Sequence, residues 1–378
     1  MYRRSFIKAA GLGLGVGLAP SALALFPKGE TDELILSAAS DRGGHHFVTA
    51  IDAQGRVRFK IPTPSRAHGS LLLKKEGLAV FFSRRPGFEM LVVDTYTGKL
   101  HQQITASENR HYFGHGCQSH DGRYLYTTEN AFNDDPLSGH GVIGIYDIAD
   151  NFSRIGEFDC QGIGPHQIER LPHSNTLVIA MGGILTHPER RREKLNIATM
   201  RSSLCYLDGD SGEVLAQVEP PNPQLSLRHL RVSSDAKVIA GAQYQGDISE
   251  MLPLVFSHRF LPGQKQQELV PFQADELTWL GLKQYIASVA VDPSNRYAIT
   301  TAPRGDCVDL WSINSGRQLN RFSIKDVAGA IWQPKQQGFL VSTGRGELVL
   351  LRINAEGSTT SHRLAINNQL RWDNHLFG

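Results

Sequence analysis

Short runs of alternating apolar and polar residues recur along the whole chain, and each run is followed by a polar turn. One such unit, an apolar strand followed by a turn that mostly contains Asp, Asn or Gly, occurs seven times at spacings of about 40–60 residues. Its copies are AIDAQGRV (50–57), VVDTYTGKL (92–100), IYDIADNFS (145–153), YLDGDSGEV (206–214), the degenerate LVFSHRFLPGQ (254–264), LWSINSGRQ (310–318) and LRINAEGST (351–359).

A second unit, a strand, a polar corner and another strand, lies between these copies; HGCQSHDGRYLYTT and HLRVSSDAKVIAGA are examples. Four short strands per repeat, seven times over, are typical of a β-propeller, and no helical periodicity of useful length interrupts them. The pattern therefore predicts an all-β fold, one seven-bladed β-propeller with four-stranded blades over residues 31–378. Length alone would suggest two or three domains.

The pattern also predicts how the ring closes. The first unit lacks its inner strand, because ELILSAAS and HHFVTAID supply only the second and third strands. The C-terminal stretch RWDNHLFG (371–378) has the composition of the missing strand. We therefore expect the C-terminal strand to complete the first blade, which leaves no open sheet edge.

Histidines recur at one repeat position, at the start of the inner strand. His115 lies six residues before the corner Asp121, and His229 lies six residues before Asp235. Three further histidines hold the equivalent place in their repeats: His68, His166 and His375. Because pseudo-symmetry maps equivalent positions onto a ring, five imidazoles are expected around the central channel, at its loop-rich mouth.

Such a ring is costly to desolvate unless it holds something. The candidates are a transition metal, ordered water or a small anionic ligand, and imidazole suits iron, copper, zinc and nickel. A transition-metal ion is therefore a possible cofactor, with iron and copper among the candidates. The alternative is that each histidine is an ordinary core residue bonded to a carbonyl. His120 and His173, at the far corners, are expected to be exposed.

The loops on the same face combine Gly with charged or amide residues, which suits backbone that must approach a ligand closely. We expect a second circle of ligand-binding residues there, although ordinary loop solvation would give the same composition. Its predicted members are Arg66, Glu129, Asn130, Arg228, Tyr244, Arg304, Asp306 and Arg345.

The N-terminal stretch RRSFIKAAGLGLGVGLAPSALA has an Arg pair, a Gly-rich apolar run and a small-x-small site at Ala22-Leu23-Ala24. It resembles a twin-arginine export signal, so residues 1–24 are expected to be cleaved and the protein to be periplasmic. A membrane anchor is the alternative. No later stretch is long and apolar enough to span a membrane, so no membrane span is expected after cleavage.

Charge and cysteine usage narrow the function classes. The formal charge is +2, from 39 basic and 37 acidic residues; loss of Arg3, Arg4 and Lys8 leaves 36 basic against 37. No basic run with interleaved aromatics is present, so nucleic acid is not an expected partner. The four cysteines lie far apart, and buried free thiols are favoured over disulfides.

The sequence resembles the bacterial family called domain of unknown function 1513. The stretches that carry the resemblance, besides the export signal, are HGCQSHDGRYLYTTEN, GIGPHQ, MGGILTHPERRREKLNIATM, LRHLRV and GAQYQGD. The resemblance implies a periplasmic propeller with an accessory role in iron acquisition. The partners that it implies are an imelysin-like or a di-haem peroxidase-like periplasmic protein. It implies no defined reaction.

Three functions stay open at this point: an accessory metal-binding protein, an enzyme with its site at the hub, and a scaffold that docks another protein. The enzyme would be a metal-dependent oxidoreductase or a lactonase-like hydrolase. The hub histidines resemble those of nitrous oxide reductase, but the cupredoxin-like segment of that family is absent. No Ser-His-Asp order, H-E-x-x-H, P-loop or C-x-x-C-H occurs, so neither a nucleotide nor covalent haem is expected. A monomer is expected.

Overall fold

The computed structural model describes residues 33–190, 192–264, 267–354 and 357–378. Within these ranges, 28 strands form seven four-stranded antiparallel sheets. The one α-helix of the described ranges, α1 (Glu276–Gly281), begins at Asp275, whose side chain accepts a hydrogen bond from the Thr278 amide. The predicted seven-bladed β-propeller is confirmed. The export signal predicted for residues 1–24 lies outside the described residues.

The strands are numbered in chain order, and each blade after the first takes four consecutive strands. The first three blades contain β1 (Ile35–Ser40), β2 (His46–Ile51), β3 (Val57–Thr63); β4 (Ala67–Leu73), β5 (Leu78–Ser83), β6 (Glu89–Asp94), β7 (Lys99–Thr105); and β8 (Arg110–Gln118), β9 (Tyr124–Ala131), β10 (His140–Asp147), β11 (Ser153–Asp159). Blades 4 and 5 contain β12 (Pro165–Arg170), β13 (Thr176–Met181), β14 (Ser203–Asp208), β15 (Val214–Val218); and β16 (Leu225–Val232), β17 (Lys237–Tyr244), β18 (Val255–Arg259), β19 (Val270–Pro271). Blades 6 and 7 contain β20 (Ser288–Val291), β21 (Tyr297–Ala302), β22 (Cys307–Ser312), β23 (Gln318–Ser323); and β24 (Val327–Gln333), β25 (Gly338–Thr343), β26 (Glu347–Ile353), β27 (Thr359–Ile366).

The remaining strand, β28 (Arg371–Trp372), closes the ring as predicted. It pairs antiparallel with β1 through Ala39 and Trp372, and a further bridge joins Leu36 to Phe377. Blade 1 therefore has the order β28-β1-β2-β3. Trp372 and its buried neighbours pack in one apolar cluster with residues of blade 7, so the closure also joins the first blade to the last.

The recurring apolar-strand-and-turn unit forms the hairpin between the third and fourth strands of each blade. In blade 2 the Asp94 carboxylate accepts hydrogen bonds from the amides of Tyr96 and Thr97 at 2.9 and 2.8 Å. Gly98 follows with a φ of 63°, a conformation that glycine adopts without strain. Asp and Gly at these corners thus set the turn and, through it, the strand register.

Most of the inner strands carry an irregularity at the hub. The register with the second strand of the blade shifts between Ala67 and Ser70 in β4, Tyr112 and Gly116 in β8, Pro165 and Ile168 in β12, and Leu227 and His229 in β16. Each of these four shifts contains or adjoins a predicted hub histidine. Since a β-bulge turns a side chain away from the regular alternation, the bulges direct these side chains toward the hub.

Apolar side chains fill the cores of the blades, and the four cysteines belong to these cores. All four cysteines are free and buried, as expected. No helix in the described part of the chain is long and apolar enough to cross a lipid bilayer.

Candidate functional site

The structure brings all five predicted histidines together at the hub. The ring centroids of neighbouring imidazoles are separated by 4.5 Å (His68–His375), 4.7 Å (His229–His375), 4.8 Å (His166–His229), and 5.0 Å (His68–His115 and His115–His166). They come from five different blades, so only the closed propeller assembles them. We call these five side chains the histidine cluster. His120 and His173 are exposed at their corners, as expected.

The cluster is buried rather than placed at an open channel mouth. The five side chains have exposed fractions of 1 % to 7 %. A cavity of about 440 Å³ on the loop-rich face is lined by Asp373 and Asn374 but by none of the five histidines. The expected position at the mouth therefore differs from the structure: the cluster lies in the interior, and the lining residues Asp373 and Asn374 precede His375 in the chain.

Two glycines allow the inner strands β4 and β8 to approach closely enough to bury the histidine cluster. A Cβ on Gly69 would lie 2.4 Å from the Gly114 carbonyl oxygen and 2.8 Å from His115 Nδ1. Gly114 has a φ of +108°, and a Cβ there would lie 2.7 Å from His68 Cδ2. The sequence Gly114-His115 is thus explained by contact between the backbone of blade 3 and the imidazole of blade 2.

Several ring nitrogens of the cluster have no hydrogen-bond partner among the described residues. They are His68 Nδ1, His115 Nε2, His166 Nδ1 and His229 Nδ1, and all four atoms are buried. A buried polar atom left without a partner costs about 1–3 kcal/mol. Four such atoms within one cluster of five imidazoles are an unusual arrangement for core histidines, and the cluster has the donor chemistry that could hold a metal ion.

His375 and His68 also have polar neighbours. Ser288 Oγ lies 2.9 Å from His375 Nδ1, and His375 Nε2 lies 3.3 Å from His68 Nε2. On its far side, His68 Nδ1 lies 3.6 Å from Asp373 Oδ1, and Asp373 is in turn paired with Arg66. Because 3.6 Å is longer than a hydrogen bond, Asp373 places a negative charge beside His68 without bonding to the ring.

Burial keeps the histidine cluster neutral. Desolvation lowers the pKa of His68 to about 4, and it lowers the pKa values of the other four imidazoles well below their usual range. Burial alone would raise the pKa of Asp373, but the nearby His68 ring and the Arg66 charge lower it. A neutral imidazole is the form that binds metal ions, so no proton has to leave before binding.

These pKa shifts predict acid sensitivity of the metal-free protein. In the unfolded chain each histidine has a pKa of about 6.5, so the unfolded state takes up protons below that pH while the folded cluster does not. Stability should therefore fall as pH decreases from about 6.5 toward 4, by about 1.4 kcal/mol per pH unit for each such group. Urea unfolding at a series of pH values measures this slope.

The matched controls for that slope are two double variants. His115→Gln with His229→Gln removes two of the groups and should make the slope shallower. His120→Ala with His173→Ala removes exposed imidazoles and should leave it unchanged. Equal slopes in all three proteins would contradict a neutral buried cluster.

Glu129 and Asn130 do not surround the cluster. The sequence pattern places them in a loop, but β9 continues through Ala131, so both are buried within blade 3. Glu129 accepts hydrogen bonds from Tyr146 at 2.8 Å and Arg154 at 2.9 Å. The expectation that Glu129 belongs to a second circle around the ligand is therefore wrong; its hydrogen-bond partners are residues of its own blade.

Of three other predicted members of the second circle, Tyr244 is the buried last residue of β17, whereas Asp306 and Arg345 lie in loops as expected. The Tyr244 hydroxyl donates to Glu250 at 2.5 Å, and Asp306 accepts a hydrogen bond from the Asp326 amide at 2.8 Å. Arg345 is exposed. None of the three has a recorded contact with a histidine of the cluster.

Two arginines of the predicted second circle line the cavity on the loop-rich face, and a third is the chain neighbour of His229. Arg66 and Arg304 line the 440 Å³ cavity on the loop-rich face, together with Tyr285. The Arg304 guanidinium lies 4.4 Å from the centroid of the Tyr285 ring. Arg228 precedes His229 in the chain and is buried, with its Nε donating to Ser226 Oγ at 3.0 Å.

Sequence reasoning missed four residues at this site: Arg84, Arg85, Ser288 and Asp373. Burial lowers the pKa values of Arg84 and Arg85, and the positive charges of neighbouring arginines lower them further. Both arginines lie in the loop SRRPG, and Asp373 lies in DNHLFG. Their place in polar loops on the histidine side of the propeller is the sequence signal that could have identified them. No sequence signal marks Ser288.

The comparisons with known proteins now identify the family. The family described as "Protein of unknown function (DUF1513)" matches residues 61–378, most of the chain. The chain belongs to this family. The match covers blades 2 to 7, β28 and all five hub histidines. It names no activity, and a comparison with proteins of curated function gives no match.

Two solved structures that resemble the chain support the fold alone. "Kuenenia stuttgartiensis Hydrazine Synthase" has a TM-score of 0.59 and 14% identity, and the match covers 94% of this chain and all of that chain. "Crystal Structure of Mitotic Checkpoint Complex" has a TM-score of 0.51 and 13% identity, with 75% and 76% of the two chains covered. At such identities the likeness says nothing about the chemistry of the DUF1513 hub.

Proposed function

We propose that the protein binds a transition-metal ion at the hub of the propeller through the histidine cluster. The observation that carries this proposal is the set of four buried ring nitrogens without partners, His68 Nδ1, His115 Nε2, His166 Nδ1 and His229 Nδ1, in a cluster whose rings lie close together at the hub. Structural histidines in a core normally use their nitrogens in hydrogen bonds. A bound ion would provide these nitrogens with a partner.

The spacing of the ligand atoms fits an ion. Two groups of three imidazoles offer nitrogens that all lie within 4.8 Å of one another: His68 with His115 and His166, and His115 with His229 and His375. Two nitrogens bound to one tetrahedral ion at about 2.0–2.1 Å are separated by about 3.3 Å. His68 Nε2 and His375 Nε2 are 3.3 Å apart, so this pair already has the separation that two ligands of one ion need.

The chemistry of the cluster suits a transition metal, and copper and ferrous iron are among the ions that fit. Its ligand atoms are neutral imidazole nitrogens, and no thiolate lies in either group. Imidazole suits copper, iron, zinc and nickel, whereas magnesium and calcium prefer oxygen ligands. The nearby charges of Arg66, Arg84 and Arg228 lower the pKa values of individual cluster histidines, so they also disfavour highly charged ions. A monovalent or divalent ion is therefore the better fit.

Two wider parts of the proposal rest on the sequence. The export signal supports a periplasmic location, where such an ion would be acquired or held outside the cytoplasm. The family resemblance supports an accessory role in iron acquisition. In that role the histidine cluster would store or relay the ion, with no reaction required of the protein.

Metal analysis tests this proposal. The mature chain, produced without a His-tag and treated with chelator, is incubated under anaerobic conditions with Fe(II), Cu(I), Cu(II) or Zn(II) and desalted. We expect about one ion per chain by mass spectrometry, and a higher melting temperature with that ion, because a ligand that binds only the folded state stabilises it. No retained ion and no change in melting temperature with any of the four would overturn the proposal.

A further inference from the structure

Three buried or half-buried arginines lie on the loop side of the hub without an acidic partner. They are Arg84 and Arg85, which follow β5, and Arg228 in β16. Among the described residues, no carboxylate forms an ion pair with any of the three. Asp373, whose charge acts on Arg84, is already paired with Arg66. We call Arg84, Arg85 and Arg228 the arginine cluster.

The arginine cluster is not explained by packing. Arg85 Nη1 is buried and has no hydrogen-bond partner, although the guanidinium lies 5.4 Å from the centroid of the Phe113 ring. Arg228 is 4 % exposed, and its side chain donates one hydrogen bond, from Nε. Its two terminal nitrogens have no hydrogen-bond partner among the described residues. Burying unpaired like charges beside one another is costly, because desolvation and repulsion act in the same direction.

Further cations face the same region. Lys194 lies in the long loop between β13 and β14, and Arg304 lies beside Tyr285. The positive charges of Arg228 and Arg304 both act on Lys194. Tyr285 interacts with all three members of the arginine cluster and also lines the 440 Å³ cavity that opens on the loop face. None of the three arginines lines the cavity itself, but the Arg84 amide donates to the carbonyl oxygen of Arg66, a lining residue, at 2.8 Å. The arginine cluster and the cavity therefore adjoin at one mouth.

We propose that this mouth binds a small oxoanion with two or more negative charges, held by Arg84, Arg85 and Arg228 above the histidine cluster. Guanidinium groups recognise phosphate and carboxylate oxygens through paired hydrogen bonds, and several unpaired guanidiniums favour a multiply charged ligand. The shared chemistry is that of inorganic phosphate and of polycarboxylates such as citrate. The anion would neutralise the cluster and supply partners to its free N–H groups.

The site is separate from the metal site but adjacent to it. Arg228 is the chain neighbour of His229, and the Arg228 charge acts on His166 as well. An anion held here would lie between the loop-face cavity and the buried imidazoles. It would also offset the positive potential that opposes a cation at the hub. The anion site itself does not require that the metal binds.

Calorimetric titration of the chelator-treated, metal-free mature chain with inorganic phosphate and with citrate tests the inference. We expect at least one of the two to bind with a dissociation constant below about 1 mM at 0.15 M salt, where nonspecific surface attraction is largely screened. Arg85→Gln and Arg228→Gln should each weaken binding at least about tenfold, because each removes hydrogen bonds to a charged group. The control Arg123→Gln, an exposed arginine paired with Asp147 at the opposite corners, should bind as the parent protein does.

A stability measurement keeps the inference testable if a variant folds poorly. Arg228→Met removes a buried unpaired charge and keeps much of the side-chain volume, so it should melt at or above the parent temperature without anion. The anion should then raise the melting temperature of the parent but not that of Arg228→Met. Binding of neither anion, or equal binding by all variants, would overturn the inference. Metal loading of the same preparations tests the proposed function separately, so either result can fail alone.

Discussion

Deletion of residues 370–378 should abolish most of the stability of the protein. The deletion removes β28 and with it Leu370, Trp372 and Leu376, which are each only 3–4 % exposed. Burial of such side chains contributes about 1.5–3 kcal/mol each, so the loss approaches the 5–15 kcal/mol that stabilises a typical protein. We expect the melting temperature to fall by about 10 °C or more, or the chain to aggregate through the exposed edge of β1.

The control for this truncation is deletion of Gly378 alone, which is exposed and lies beyond the bridge between Leu36 and Phe377. That variant should melt close to the parent temperature. Calorimetry or circular dichroism at matched concentration measures both proteins. If the 370–378 truncation melts within a degree or two of the parent, closure of the ring by β28 does not support its stability.

Replacement of His115 and His229 by Gln should remove metal binding while the fold persists. These two side chains belong with His375 to one three-imidazole group. Loss of a residue that merely orients a ligand already costs about 10–100-fold in affinity, so loss of two ligands should cost more than about 100-fold. The fold should persist, because neither His115 Nε2 nor His229 Nδ1 makes a hydrogen bond that the substitution could break.

The matched control is the double variant His120→Ala and His173→Ala, which removes two exposed imidazoles from the corner face. It should retain about one ion per chain and the parent melting temperature. Circular dichroism and metal content, measured on the same samples, separate loss of the site from loss of the fold. One tightly bound ion in the His115/His229 variant would place the metal elsewhere.

The fold could be predicted because it depends on local signals that repeat. Asp94 and Gly98 set one hairpin, and equivalent residues set the others, so the number of blades follows from counting turns. The closure by β28 could be predicted by counting strands, because the first repeat has three strands where the others have four. Repetition also located the histidine cluster, because equal offsets from equivalent corners meet around the same axis.

The depth of the cluster and its surroundings could not be predicted in the same way. Regular strand alternation does not describe β4, β8, β12 and β16, since each shifts register near its histidine. Glu129 was misplaced because β9 is longer than the turn signals suggested. Arg85 and Asp373 depend on contacts between blades that are distant in sequence, and a single sequence carries no record of such contacts.

Protein synthesis runs from the N-terminus, so His375 emerges from the ribosome after the other four hub histidines. A nascent chain can offer His68, His115, His166 and His229, but the complete set exists only once β28 has joined blade 1. If the proposed ion binds at the hub, its tight capture would be deferred until the polypeptide has finished folding. The same linkage works in reverse: an ion at 100 times its dissociation constant would oppose opening of the seam between blades 1 and 7 by about 2.7 kcal/mol. Release of the ion and loosening of that seam would then be one coupled event.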